Sequence, residues 1–294
     1  MRISTEINSF ARTLGEIPAI ELLAEVGFDA YDLSLFKMRY DPSCAFCGDG
    51  YKAYAQEIRR AADQAGIVCN QSHAPYPSSV GEPEQDAAIY QQIIRAMEIA
   101  SIVGAEIIVV HPLQHLNYAT PGNPEILEEM NVSFYRSLIP YCEQFGIRVA
   151  AENMWQYDAA RECIVDSTCS RAEEFCRYLD RIDSPWIVGC LDLGHVPLVG
   201  GDLPHMIRML GRERLKALHV HDNNLTQDLH ALPYTMCMDF DAVTTALREI
   251  DYTGDVTFEA NNACRKLPAH LMREGARLML GVGRDLAGKI RADG

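Results

Sequence analysis

The sequence predicts a single (β/α)8 barrel. Short apolar runs alternate with longer helix-period segments from end to end, in eight units. A recurring phrase of helix end, glycine and strand marks the units: EVGFDAYDL, QAGIVCNQS, IVGAEIIVV, QFGIRVAAE and DYTGDVTFE. The chain has 294 residues, and a barrel of this class takes about 250. No linker, low-complexity segment or shift of composition divides it, so residues 1–294 are read as one domain.

The units follow in order. The first strand, Ile3–Ile7, leads to an amphipathic stretch at Ile17–Val26, closed by Gly27. The second strand is Ala30–Leu35. Its return helix, Tyr51–Ala65, comes only after a long, aromatic-rich loop at Phe36–Gly50, which the length marks as a lid over the pocket. Ile67–His73 and Glu84–Val103 form the third unit, where Ile89, Ile93, Met97 and Ala100 recur at three- and four-residue spacing. Ile107–His111 with Glu125–Phe145, and Ile147–Glu152 with Ser170–Arg181, are the fourth and fifth. Ile187–Asp192 with Leu203–Leu210, Leu215–His221 with Phe240–Ile250, and Val256–Glu259 with Pro268–Leu286 complete the eight. Gly27, Gly66, Gly104, Gly146 and Gly254 are each expected in the left-handed conformation that turns the chain back toward a strand. A doubly wound open sheet is the competing fold, but NSFARTLGE after the first strand contains no G-x-G-x-x-G.

In such a barrel the site forms at the C-terminal ends of the strands. Six consecutive strands finish in a histidine or a carboxylate: His73, His111, Glu152, Asp192 followed by His195, His219 with His221, and Glu259. Charged residues marking where buried strands meet water explain one or two of these, not a set without Lys, Arg, Ser or Thr. Glu152, Asp192, His221 and Glu259 give an oxygen-rich set with one imidazole, suited to one divalent metal ion among Mn²⁺, Mg²⁺, Co²⁺ and Zn²⁺. His219 and His221 point the same way, two apart on a strand. The outermost, His221, is taken as the ligand and His219 as a packing residue beneath it.

The segments SHAPY, VVHP, AEN, LDLGH, HVHDN and TFEAN, in this order, resemble the xylose isomerase-like barrel superfamily, and within it the sugar (phosphate) isomerase/epimerase branch that includes the ketose 3-epimerases. The resemblance spans essentially the whole chain. It implies one divalent metal on Glu152, Asp192, His221 and Glu259, and a substrate-hydroxyl contact for His195 in the Asp-x-x-His pattern. A metal chelating a carbonyl and the neighbouring hydroxyl acidifies the carbon between them. Glu152 and Glu259 on opposite walls would move the proton through an enediolate, giving epimerisation, or isomerisation if one residue shuttles it. His73, His111, Trp155 and His230 would line the substrate. Two departures from the branch stand out. The stretch Leu232–Met238 has no glycine, and Asn223 and Asn224 stand where some ketose epimerases carry arginine.

The chain is also similar to abasic-site endonucleases, whose three-zinc site would draw on His73, His111, His195, Asp228 and His230. A formal charge of −15, from 26 Lys+Arg against 41 Asp+Glu, opposes a grip on DNA or an anionic membrane. A non-catalytic barrel subunit is the third reading, and an intact ligand set argues against it. The expected partner is a small-molecule sugar or sugar phosphate, with no nucleic acid and no membrane; a homo-oligomer stays open. The start MRISTEINSF lacks the apolar run of a signal peptide, so the ten cysteines are expected as reduced thiols of a cytoplasmic protein. Cys44 and Cys47 form one C-x-x-C, without the second pair a zinc ribbon needs.

Overall fold

A computed structural model describes residues 1–292. Its strands are β1 (Ile3–Thr5), β2 (Ala30–Ser34), β3 (Val68–His73), β4 (Ile107–Val109), β5 (Arg148–Glu152), β6 (Trp155–Asp158), β7 (Cys163–Asp166), β8 (Ile187–Asp192), β9 (Leu215–His219) and β10 (Val256–Phe258). β2, β3, β4, β5, β8 and β9 pair in that order, all parallel. β1 pairs with β10, also parallel. Single-residue bridges, Glu6 to Asp32 and Val220 to Phe258, join the two sets and close the ring.

The helices cover the ring from outside. They are α1 (Asn8–Leu14), α2 (Glu16–Val26), α3 (Lys37–Tyr40), α4 (Tyr51–Ala65), α5 (Pro83–Val103), α6 (Asn123–Phe145), α7 (Ala172–Ile182), α8 (His195–Leu198), α9 (Leu203–Arg214), α10 (Phe240–Glu249), α11 (Asn261–Cys264) and α12 (Met272–Arg291). Asp202 caps α9 by accepting from His205 N, and Asp239 caps α10 by accepting from Asp241 N and Ala242 N. Gly211 leaves the helical region at φ 61°, so α9 is regular only to Leu210, the expected end.

Strand alternation separates two cores. Outward-facing Leu33, Ile108, Val149, Leu191 and Leu218 pack with the helices. Inward-facing Ile107, Val109, Ala150, Val188, Cys190 and Ala217 form a small cluster inside the barrel. Two residues on, the same inward faces present His111, Glu152, Asp192 and His219. The period of two therefore carries a dry interior directly into a polar rim.

Two expectations change. Gly27, Gly66, Gly104 and Gly146 end their helices at positive φ, but Gly254 does not. There Asp251 takes the positive φ, 52°. Gly254 is required by space, since a Cβ would lie 2.2 Å from the Tyr252 hydroxyl. The second change is an insertion. Between β5 and α7 the chain makes an antiparallel hairpin, β6 with β7, instead of running straight to the helix.

Candidate metal centre

Each inward strand end places one side chain in the mouth of the barrel. Ligand atoms of Glu152, Asp192, His219 and Glu259 lie within 4.8 Å of one another, all buried. His219 Nδ1 stands between the two glutamates, 3.0 Å from Glu152 Oε1 and 3.1 Å from Glu259 Oε2. Asp192 Oδ2 is 4.0 Å from the same nitrogen. His111 Nε2 lies 3.1 Å from Glu152 Oε2.

His219, rather than the expected His221, completes the quartet. The ladder sets His219 opposite Asp192, so the two are level on the barrel axis. His221 sits one pleat higher, a rise of about 6.6 Å. It holds Asp192 from above, with Nε2 2.9 Å from Oδ1, and joins a second group formed with His195, Asp228 and His230. The rings of His221 and His230 stack at 4.2 Å. His230 Nε2 donates to Asp228 Oδ2 (3.1 Å) and Nδ1 faces the carbonyl of Glu259 (2.7 Å). His230 takes a positive φ of 43° in doing so, a conformation uncommon away from glycine. Gly194 of the LDLGH segment makes room, since a Cβ there would meet His221 Cε1 at 2.0 Å.

Asn153 ties Asp192 and His195 together. It accepts from Asp192 N (2.8 Å) and donates to Asp192 O (3.0 Å), while its own carbonyl faces His195 Nδ1 at 2.7 Å. That leaves His195 Nε2 turned toward Asp228, 3.6 Å away at the pocket wall. His73 behaves otherwise than expected. It has no exposed surface and lies behind the quartet, with Nδ1 donating to Asp32 Oδ1 (3.0 Å) and its ring stacked on His219 at 4.4 Å.

The charge is concentrated. Burial opposes ionisation of Glu152, but the imidazoles of His219 and His111 outweigh it and hold the carboxyl well below the usual range. Asp192 is likewise lowered against its burial by His195 and His221. Burial lowers His73 and His230, and the facing carboxylates overcome it, pushing both up to about 10. Glu6, just past β1, is pushed up to about 8 by burial and by Asp32.

The donor set fits a divalent cation. Three buried carboxylates converge with no Lys or Arg near them, a costly arrangement unless a cation offsets it. Buried polar atoms without partners cluster in the same place: His73 Nε2, His219 Nε2, His221 Nδ1 and Asp228 Oδ1. Oxygen and imidazole donors suit Mn²⁺, Mg²⁺, Co²⁺ or Zn²⁺ alike.

Above the quartet opens a cavity of about 370 Å³. Phe36, Tyr76, Trp155 and Tyr157 give it aromatic walls, and Gln114 and Gln156 give it amides. Glu152, Glu259, His111, His195, His230 and Asp228 also line it. Gln156 is fixed by donating to the carbonyls of Gln114 (2.7 Å) and Leu116 (2.8 Å). Gln114 in turn donates to the Tyr76 hydroxyl at 2.6 Å. Sequence reasoning missed Asp32, Tyr76, Gln114 and Gln156. An acid inside the apolar run AYDLSL was the available signal for Asp32; Gln114 sits in a loop and Gln156 in the unforeseen strand β6, and neither gave one. It also missed Asp222, which braces the following loop by accepting from Asn223, Met236 and Met238 backbone N–H groups.

Residues 20–281 match the sequence family described as the xylose isomerase-like TIM barrel. Among curated relatives, an uncharacterized protein of Sinorhizobium fredii is 25% identical over 55% of this chain and 50% of its own length. A probable endonuclease 4 of Heliobacterium modesticaldum is 27% identical over 55% of this chain and 59% of its own. These matches thus span only about half the relatives' length. Among solved structures, a D-tagatose 3-epimerase-like protein superposes with a TM-score of 0.75 at 21% identity, covering 99% of this chain and 98% of that one. The IOLI protein with a bound zinc atom gives 0.74 at 15%, covering both chains fully. With the ring of eight strands closed and the match running over most of its length, the chain belongs to the xylose isomerase-like TIM barrel family.

Proposed function

We propose that the protein is a divalent-metal-dependent isomerase or epimerase of small, unphosphorylated sugars. One observation carries the reading: Glu152 and Glu259 of the buried quartet with Asp192 and His219 reach a cavity lined by aromatic rings and amides, with no Lys or Arg in the lining. Aromatic faces and amides suit a polyol, whereas a phosphate group would want an Arg, a Lys or a helix N-terminus. The epimerase-like neighbour and the zinc-bound neighbour support the same reading.

A bound divalent ion would supply Lewis acidity to a carbonyl and its neighbouring hydroxyl, loosening the proton on the carbon between them. Glu152 and Glu259, from β5 and the end of β10, both reach His219 Nδ1, at 3.0 and 3.1 Å. One takes that proton from one face of the substrate and the other returns a proton to the opposite face of the enediolate, which inverts the centre. His111 and His219 keep Glu152 ionised and ready to accept. His195, with Nδ1 committed to Asn153, offers Nε2 to a substrate hydroxyl. Trp155 and Phe36 exclude water from the reacting carbon.

The test is a panel of ketoses, aldoses and their phosphates incubated with Mn²⁺ or Co²⁺ in deuterated water. Deuterium entering a free sugar supports the reading. Exchange confined to phosphorylated sugars, or none, overturns it.

A second reading is favoured by a specific observation. Two further ligand groups, His195–His221–Asp228–His230 and Asp32–His73–His219, adjoin the first. A multi-metal phosphodiesterase resembling the endonuclease 4 relative would use them. The net charge of −15 and the cation-free lining oppose it. Three tightly held zinc ions per chain, with nicking of an abasic duplex at modest salt, would promote it over the first.

A further inference from the structure

The loop between β2 and α4 carries two thiols that the proposed chemistry leaves unused. Cys44 Sγ and Cys47 Sγ stand 3.2 Å apart. Both are half-buried, while six of the other eight cysteines are buried out of reach of a dissolved reagent. Two successive tight turns bring the pair together, with Cys44 N donating to Asp41 O (3.0 Å) and Cys47 N to Cys44 O (2.9 Å). Phe46, between them, is buried against Tyr54 and anchors the turn. Arg95 of α5 donates to the Cys47 carbonyl from the other side.

The separation decides what the pair can do. A disulfide needs sulfurs about 2.05 Å apart and Cα atoms within about 7 Å. A turn closed by the Cys47 N–H to Cys44 carbonyl bond brings the Cα atoms into that range. The remaining gap of about 1 Å between sulfurs is within side-chain rotation. A zinc site is not formed, because no third Cys, His, Asp or Glu ligand atom joins the pair among the described residues.

We propose that Cys44 and Cys47 are a reversible dithiol–disulfide site, oxidised by a small-molecule disulfide, on the loop that supplies Phe36 to the pocket wall. Cys47 Sγ donates to the carbonyls of Met38 (3.6 Å) and Asp41 (3.7 Å), contacts that hold it as the thiol, so first attack falls to Cys44. The Cys44 thiolate attacks one sulfur of the small disulfide. A mixed disulfide forms and one small thiolate leaves. That thiolate takes the proton of Cys47, whose sulfur then attacks Cys44 Sγ and expels the second thiolate. One protein S–S bond is formed, and the small disulfide is reduced to two thiols. The link to the pocket is short. Phe36 lies 5.8 Å from the His111 ring, and at the far end of α3 the Tyr40 hydroxyl donates to the Tyr76 carbonyl at 2.7 Å. The dithiol turn therefore follows, on the same loop, a residue that contacts the pocket residue Tyr76.

The test treats the full chain with oxidised glutathione, blocks free thiols with iodoacetamide and digests with trypsin. The peptide Tyr40–Lys52 holds both cysteines and no others. It is expected unalkylated and lighter by two hydrogens, and dithiothreitol should restore two alkylation sites. Cys47→Ser is expected to trap glutathione on Cys44, and Cys44→Ser to slow glutathione uptake by the peptide about tenfold or more. Circular-dichroism melting of both variants guards against misfolding, and the wild-type mass measurement needs no variant. A doubly alkylated peptide after oxidation, or glutathione on both cysteines at once, would overturn the proposal.

Discussion

At the residue scale, position along the barrel axis sorts side chains that look alike in the sequence. His219 and His221 share a strand and a direction, yet one lies level with Glu152, Asp192 and Glu259 and the other with Asp228 and His230. His219→Ala is therefore expected to lower metal affinity at least ~10-fold more than His221→Ala, measured by titration calorimetry with Mn²⁺. Equal losses would show that the two layers act as one site. Glu152→Gln and Glu259→Gln should each cut deuterium wash-in by about 100-fold or more, because an amide cannot take the proton. Full exchange in either variant would remove that carboxylate from the proton path. Gly194→Ala tests the packing beneath His221. Its φ of −73° suits any residue, so the whole cost is steric: a Cβ 2.0 Å from the imidazole. A loss of about 1–3 kcal/mol is expected in urea denaturation, together with weakened support of Asp192.

At the scale of elements, α7 carries a titration that reports on burial. Burial pushes the Glu174 carboxyl up to about 7, against hydrogen bonds from Tyr118 and the Cys169 backbone. The folded state thus binds this proton more tightly than the unfolded chain does. Its contribution is fully present below the ordinary carboxylate range and is lost as pH rises toward 7. Glu174→Gln lacks that loss. The variant should match the wild type near pH 4 and exceed it by up to about 3 kcal/mol above pH 8, in urea melts across pH. A gap that does not change with pH would place the effect elsewhere. The eight units were legible in sequence because apolar period and glycine punctuation coincide, as at Gly66 and Gly104. The β6–β7 hairpin was not, because WQYD and CIVD alternate weakly and are mostly half-buried, with no residue fully buried. The rim acids and histidines were legible because they end buried strands. Which of two histidines belongs to the quartet depends on strand register, and register is a property of the closed ring.

At the scale of the whole molecule, the excess of 15 negative charges and the convergent carboxylates act in the same direction. Removing a bound divalent ion leaves Glu152, Asp192 and Glu259 facing one another in a buried floor. Treatment with EDTA is expected to lower the melting temperature, and added Mn²⁺ to restore it in proportion to the logarithm of its concentration. A melting temperature indifferent to both would argue that the histidines alone satisfy the floor. The described residues contain no helix long and apolar enough to cross a membrane.

The ring is closed by partners from opposite ends of the sequence. Ile3, Ser4 and Thr5 pair with Val256, Thr257 and Phe258, and Arg2 binds Asp255 through its backbone N–H and its guanidinium. Contacts of such separation are costly to close in entropy. Glu259 follows directly on that seam. Glu152, Asp192 and His219 stand on strands of the six-stranded set, whereas Glu259 depends on the seam. The seam therefore ties the second glutamate of the site to the pairing of two distant ends of the chain, so that loosening Arg2 or Asp255 would reach the site through Glu259 alone.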